Sequence, residues 1–212
     1  MADKTTINLE DIVSAIGQEP YYRDDAVVIY HADCREVLPL IPDKSIDLVL
    51  TDPPYPDQHL EYGDCDISFL SKLDCRQLIF WTAKGAFALD YTAIHIWDKK
   101  TGAASEYERI FERHGQFNYK VFRYYLINSS VAANYTGDKF YNHPSQKPFK
   151  LIDELIVMCK DKDLILDPFL GSGTTAYCAK KLNRKCIGIE IEERYCEISA
   201  KRCSQSVMRL EV

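Results

Sequence analysis

The chain has no run of about 18 or more apolar residues, so no membrane-spanning helix is expected. Its N-terminus lacks a basic stretch followed by an apolar core, so no secretion signal is read and a cytoplasmic protein is expected. None of the eight cysteines forms a C-x-x-C pair or joins histidines at zinc-ligand spacing, which argues against a structural metal site. Without a route to an oxidising compartment, free thiols are expected rather than disulfides. Cys178, Cys186, Cys196 and Cys203 fall in a stretch that reads helix, strand, helix, and are expected to act as small buried hydrophobes. There is no internal repeat and no low-complexity linker. An excess of positive charge is also missing: the net charge is −6, which counts against nucleic acid as a partner, because phosphate binding wants a basic surface.

What is present suits an ordinary globular core. Hydrophobic residues make up 46% of the 212 positions, and the length predicts one catalytic domain over residues 1–212. Charge is distributed unevenly. The first 25 residues carry Asp3, Glu10, Asp11, Glu19, Asp24 and Asp25. Residues 118–150 carry Lys120, Arg123, Lys139, Lys147 and Lys150 against Asp138 alone, interleaved with Tyr119, Phe122, Tyr124, Tyr125, Tyr135, Phe140 and Tyr141. Basic residues among aromatics suit backbone phosphates and bases, although an aromatic strand with a solvated edge gives the same pattern.

Apolar, β-branched runs predict strands at residues 26–31, 45–51, 77–81, 91–97, 119–127, 163–167 and 185–190. Helical spacing predicts helices at 35–40, 146–159, 176–182 and 192–203. Residues 106–113 fit either element, and 129–143 read as irregular. Alternating strands and helices predict an α/β fold with a mainly parallel sheet. Only about one βα unit follows the glycine-rich loop at 171–175, too little to complete a nucleotide-binding sheet. The remaining strands must precede it, so the fold is expected to be circularly permuted.

Two motifs carry the chemistry. DPFLGSGTT (residues 167–175) places Gly171 and Gly173 where a tight turn lets a ligand approach a helix N-terminus. It lacks the lysine of a phosphate-binding P-loop and departs from G-x-G-x-x-G, which disfavours a nicotinamide oxidoreductase. Glu190 ends the next strand, 19 residues after Gly171, placed to accept hydrogen bonds from the two ribose hydroxyls of an adenosine. The second motif, Asp52-Pro53-Pro54-Tyr55, follows a buried strand. An amino group becomes nucleophilic when both its protons have acceptors. The Asp52 carboxylate and the Pro53 carbonyl can supply them, and Tyr55 can stack on an extruded base.

TDPPY, HPSQKP (residues 143–148) and LDPFLGSGTT, in that order, resemble the amino-group DNA methyltransferases of the β arrangement, over most of residues 26–203. The resemblance implies a Rossmann-like fold dependent on S-adenosylmethionine, with a mostly parallel seven-stranded sheet in the order 3-2-1-4-5-7-6 and one antiparallel strand. The strands near Asp163, Lys185, Ala26 and Ser45 would be its strands 1 to 4. It also implies a cofactor site formed by Asp33, Asp52, His143, Lys147, Asp167, Phe169, Gly171, Ser172, Gly173, Thr174 and Glu190. In that reading Asp33 meets the cofactor adenine, Glu190 the ribose, and His143 and Lys147 flank the methionine end. The catalytic turn would be Asp52 to Tyr55; the basic and aromatic stretch, read separately, makes Lys120, Arg123 and Lys139 the expected DNA contacts.

The implied reaction is methyl transfer to an exocyclic amino group in double-stranded DNA, adenine N6 in preference to cytosine N4 because Asp, not Ser, precedes the two prolines. Methylation of RNA adenine and a non-catalytic DNA-binding subunit are the alternatives. No Cys follows a Pro, which disfavours carbon-5 cytosine chemistry. The target-recognition region, around residues 113–142, is short for this family. That implies a short or degenerate recognition sequence, or help from a second subunit as a homodimer or helper.

Overall fold

The computed structural model describes residues 8–55, 66–100, 106–116, 118–127, 129–141, 143, 146–160 and 163–205. Cys65 and residues 144 and 145 of HPSQKP lie outside these, as do Asn142 and single positions within the recognition region. In chain order the elements are α1 (Leu9–Ile16), β1 (Tyr22–Arg23), β2 (Val27–His31), α2 (Cys34–Val37), β3 (Leu48–Thr51), β4 (Arg76–Trp81), β5 (Ala93–Asp98), β6 (Tyr107–Arg113), β7 (Val121–Arg123), α3 (Ser130–Thr136), α4 (Phe149–Met158), β8 (Leu164–Asp167), α5 (Thr174–Lys181), β9 (Lys185–Glu190) and α6 (Glu193–Ser204).

The strands form one sheet in the order β1-β2-β9-β8-β3-β4-β6-β5-β7. The inner seven reproduce the expected 3-2-1-4-5-7-6 arrangement, with β8, β9, β2 and β3 as strands 1 to 4. Among the described residues the expected count of seven becomes nine, because β1 and β7 add two- and three-residue edges. Two strands rather than one run antiparallel to their neighbours: β6, between β4 and β5, and β1 against β2. The ambiguous segment 106–113 is strand β6. The strand expected over 119–127 shortens to β7, and helix α3 occupies part of the region expected to be irregular.

Side-chain alternation along the strands builds two apolar layers. Val27 and Ile29 of β2 pack on one face with Leu151 and Leu155 of α4, Ala176 and Ala179 of α5, and Cys196 and Cys203 of α6. Val28 and Tyr30 face the other side, with Leu9, Ile12, Val13 and Ile16 of α1. α1 has an i, i+3, i+4, i+7 apolar stripe, an Asn8–Asp11 capping box, and Gly17 in the left-handed conformation that stops it. The four cysteines expected in the core are there, and burial pushes the Cys196 and Cys203 thiols up to about 12. Among the described residues no helix is long and apolar enough to cross a membrane.

At the end of β6 away from the glycine loop, Glu112 is fully buried. It accepts hydrogen bonds from Arg76 Nε at 2.6 Å and is paired with His95 Nε2 at 2.9 Å. Removing one partner of a buried pair leaves the other desolvated and unmatched. Glu112→Ala should therefore lower unfolding stability by about 3–5 kcal/mol in a urea titration, and a loss below about 1 kcal/mol would show that the cluster does not support the sheet.

Candidate active site

Parallel strands deliver their carboxyl ends to one edge of the sheet, and the motifs meet there. β3 lies directly beside β8, with Leu48 opposite Ile165 and Val49 opposite Leu166. The residues that follow these strands, the Asp52 turn and the glycine loop, are consequently adjacent. Thr51 Oγ1 ties them by donating to Asp167 Oδ1 at 2.7 Å. Burial pushes the Asp167 carboxyl up to about 6, against hydrogen bonds from Thr175, Thr51 and the Phe169 amide.

The two motifs open into one cavity of about 880 Å³, within the size range of small-molecule sites, roughly 300–1,000 Å³. Its wall includes Asp52, Pro53, Pro54 and Tyr55 from the catalytic turn. Asp33, His143, Lys147, Asp167, Phe169, Gly171, Ser172, Thr174 and Glu190 of the expected cofactor set also line it. Gly173 does not. It has φ +74°, and a Cβ there would meet Ser199 Oγ on α6 at 2.7 Å, so its role is helix packing. Gly171, φ +52°, leaves room for His143, whose Nε2 would lie 2.9 Å from an added Cβ. Ser199 donates to the Gly171 carbonyl at 2.7 Å, which anchors the loop to α6.

Glu190 closes the end of β9. Its Oε2 accepts the Gly171 amide and its Oε1 the Glu192 amide, both at 2.8 Å. The carboxylate, which also takes a backbone hydrogen bond from Ile191, lines the cavity wall as an acceptor suited to a vicinal diol. Asp33 caps α2 through the Arg35 amide, 2.9 Å, and also pairs with the Arg35 side chain. Phe169 and the half-exposed Ile191 offer apolar faces to a planar ring. Several carboxylates line the same wall, so an adenosine carrying a cationic sulfonium and ammonium fits the residues present.

Around Asp52 the geometry adds what the sequence did not indicate. Tyr55 donates to Asp52 Oδ1 at 2.5 Å, and Lys147 pairs with Asp52 Oδ2. The Lys147 ammonium therefore faces the catalytic turn, while its backbone carbonyl accepts from Thr174 Oγ1 at 3.4 Å. Behind them stands Glu108 of β6. Its Oε2 lies 3.2 Å from the Tyr55 hydroxyl and 3.4 Å from Lys147 Nζ, and its Oε1 lies 2.8 Å from Lys99 Nζ. Burial pushes the Asp52 carboxyl up, opposed by Lys147 and aided by Glu108. Burial alone would lower Lys147, but Asp52 and Glu108 hold it above the ordinary lysine range. The Tyr55 ring is almost fully buried, edge-on to Trp81 at 5.6 Å, and presents no open stacking face here.

The expected DNA-contacting residues lie outside the cavity wall. Lys120 Nζ is 3.7 Å from Glu154 and Arg123 Nε is 3.6 Å from Asp98, both near the β7 edge, and Lys139 lies over the Tyr141 ring. Among the described residues, no group of three or more His, Cys, Asp or Glu could hold a metal.

The model of the DNA methylase family matches residues 74–201, more than half of the chain. The chain belongs to the DNA methylase family. The Type II methyltransferase M2.LlaDCHI of Lactococcus lactis subsp. cremoris is 27% identical, over 88% of this chain and 93% of that one. The solved PvuII DNA methyltransferase, described as cytosine-N4-specific, superposes with a TM-score of 0.66 at 20% identity, covering 91% of this chain and 92% of that one. The M1.HpyAVI–SAM complex superposes with a TM-score of 0.58 at 23% identity, covering 83% and 99%. This DNA methylase uses S-adenosylmethionine to methylate an amino group in DNA.

His143 sits beside the glycine loop with its ring 4.5 Å from that of Tyr195. Burial, with Lys147 and Arg194 nearby, pushes its pKa down to about 4. A depressed folded pKa contributes stability above the unfolded value, about 6.5, that is lost as pH falls through about 4. Asp167 has the opposite sign: its raised value costs stability as pH rises from about 3.8 through 6. His143→Gln should therefore make unfolding stability less sensitive to acid between about pH 6.5 and 4 than in the parent. Identical pH–stability curves would contradict a buried neutral imidazole.

Proposed function

We propose that this chain methylates adenine at N6 in double-stranded DNA, acting on a base drawn out of the helix. The observation that carries the reading is the single cavity shared by the Asp52–Tyr55 turn and the glycine loop. Asp in place of Ser before the two prolines favours adenine over cytosine; the likeness to the N4-specific PvuII enzyme is one of fold.

In this reading Asp33 meets the cofactor adenine, Glu190 holds the ribose diol, and Asp167, Phe169, Gly171, Ser172 and Thr174 shape the wall around the cofactor. His143 and the Lys147 backbone border its methionine end. Bound, S-adenosylmethionine supplies a methyl group already activated by its sulfonium, so no metal or covalent enzyme intermediate is needed. The chain's own part is alignment. Asp52 Oδ and the Pro53 carbonyl take the two amino protons as hydrogen bonds, freeing the nitrogen lone pair to point across the cavity. As the N–C bond forms and the C–S bond breaks, Asp52 is placed to take the surplus amino proton. Its raised proton affinity suits that task. Such positioning can supply roughly 7–11 kcal/mol of the barrier. Extruding the base costs a few kcal/mol, and stacking on Tyr55 would require the turn to open.

Lys120, Arg123 and Lys139 would carry phosphate contacts on one face of a molecule whose net charge is −6. The recognition region around residues 113–142 contributes β7 and α3, and offers few base-edge contacts. Selectivity then rests on a short recognition sequence or on a second subunit.

Mass spectrometry of nucleosides from duplex DNA incubated with the protein and methyl-labelled cofactor tests the proposal. Label should appear in N6-methyladenine and vanish with Asp52→Ala, while cofactor binding by Asp52→Ala stays within a few-fold of the parent. Label in N4-methylcytosine, or transfer to RNA alone, would overturn the adenine-DNA assignment.

A further inference from the structure

Glu108 belongs to no motif and does not line the cavity, yet two of the groups around the reacting position, the Tyr55 hydroxyl and the Lys147 ammonium, converge on it. We propose that Glu108 is a positioning residue for methyl transfer: it clamps the Lys147 ammonium and the Tyr55 hydroxyl from behind, so that they hold the Asp52 carboxylate in its productive orientation. The inference rests on the role assigned to Asp52 above.

The arrangement has a front and a back. The Asp52 side chain is 21% exposed, whereas those of Lys147 and Glu108 are 8% and 9% exposed. Asp52 is thus the member presented to substrate, and the others form its backing. Both donors to Asp52 are shared. The Tyr55 hydroxyl lies 2.5 Å from Asp52 and 3.2 Å from Glu108, and Lys147 contacts both carboxylates. Lys147 has little alternative placement, since its ammonium lies 5.1 Å from the centre of the Phe80 ring and 5.7 Å from that of Trp97. Glu108 is itself fixed by Lys99 through its other oxygen.

The charges balance: Asp52 and Glu108 are matched by Lys147 and Lys99. Lys147 sits closer to Asp52 than to Glu108, which holds the same ammonium from behind at 3.4 Å. Glu108 also acts on proton affinity, because its negative charge favours the protonated form of Asp52. The titratable groups facing Asp52 come from each neighbouring element: Lys147 from the segment before α4, the neutral Tyr55 from its own turn, Glu108 from β6 and Asp167 from β8.

Two variants test this with opposite signs. Glu108→Gln keeps an acceptor for Tyr55 but removes the charge, so the Asp52 titration midpoint should fall. Lys99→Met removes the far cation, so that midpoint should rise. The readouts are the carbon-13 titration of the Asp52 carboxyl in the full chain without cofactor or DNA, and the pH dependence of single-turnover methyl transfer. Glu108→Gln should transfer methyl at least roughly tenfold more slowly on its plateau, with cofactor affinity within about twofold, and its acidic limb should move to lower pH. Glu108→Asp should recover part of the rate.

An Asp52 titration unmoved in both variants, or a Glu108→Gln rate within about twofold of the parent, overturns the proposal. If Glu108→Gln does not fold, the Lys99→Met titration decides alone. A parent protein that methylates no DNA would sink the functional reading instead, and the titration would still decide whether Glu108 acts on Asp52.

Discussion

The site depends on the parallel pairing of β3 with β8. These strands come from opposite ends of the chain, and each is followed at its carboxyl end by a motif useless without the other. Their register places Thr51 next to Asp167, and the 2.7 Å hydrogen bond between them joins the catalytic turn to the cofactor loop. The order in which the motifs occur along the chain has no bearing on this geometry. A permuted connection is tolerated because strand adjacency, rather than sequence adjacency, builds the cavity.

A second constraint is electrostatic. A carboxylate that must meet an amino group cannot be freely hydrated, and burying it raises its proton affinity. The protein meets this with paired counter-charges: Lys147 beside Asp52, Glu108 beside Lys147, Lys99 beside Glu108. The antiparallel orientation of β6 has a functional consequence. Because β6 runs against its neighbours, the amino-terminal end of this strand, where Glu108 sits, reaches the same edge as the carboxyl ends of the others. Its far end carries the separate Glu112 cluster, so one strand supports both edges of the sheet.

Most of the parallel half of the fold was legible in the residues. Strands β2, β3, β8 and β9 are short apolar runs bounded by turn signals, and the two loops they lead into are specific as a combination. The cavity wall therefore contains nearly the whole expected set, Gly173 excepted. What was not legible involves buried charge. YERIFER of β6 places Glu108, Glu112 and Arg113 inside the protein, and their partners Lys99, Lys147, Arg76, His95 and Asp90 lie elsewhere in the chain. Charged residues read as solvated until those partners are seen, which blurs the strand and hides Glu108. α3 escaped because SVAANYT has weak helical propensity and depends on its Ser129 and Gly137 caps. β1 and β7 are too short to show a period. No helix is predicted over α1, although Leu9, Ile12, Val13 and Ile16 have helical spacing; these four side chains close the face of the sheet opposite α4 to α6.

The measurement that bears most directly on the shared-cavity account is a crystal structure of the protein with S-adenosylmethionine bound. The account predicts the ribose hydroxyls on Glu190 and the methyl group directed toward the Asp52–Pro53 turn. A cofactor seated with its ribose away from Glu190, or with its methyl group turned from Asp52, would contradict it.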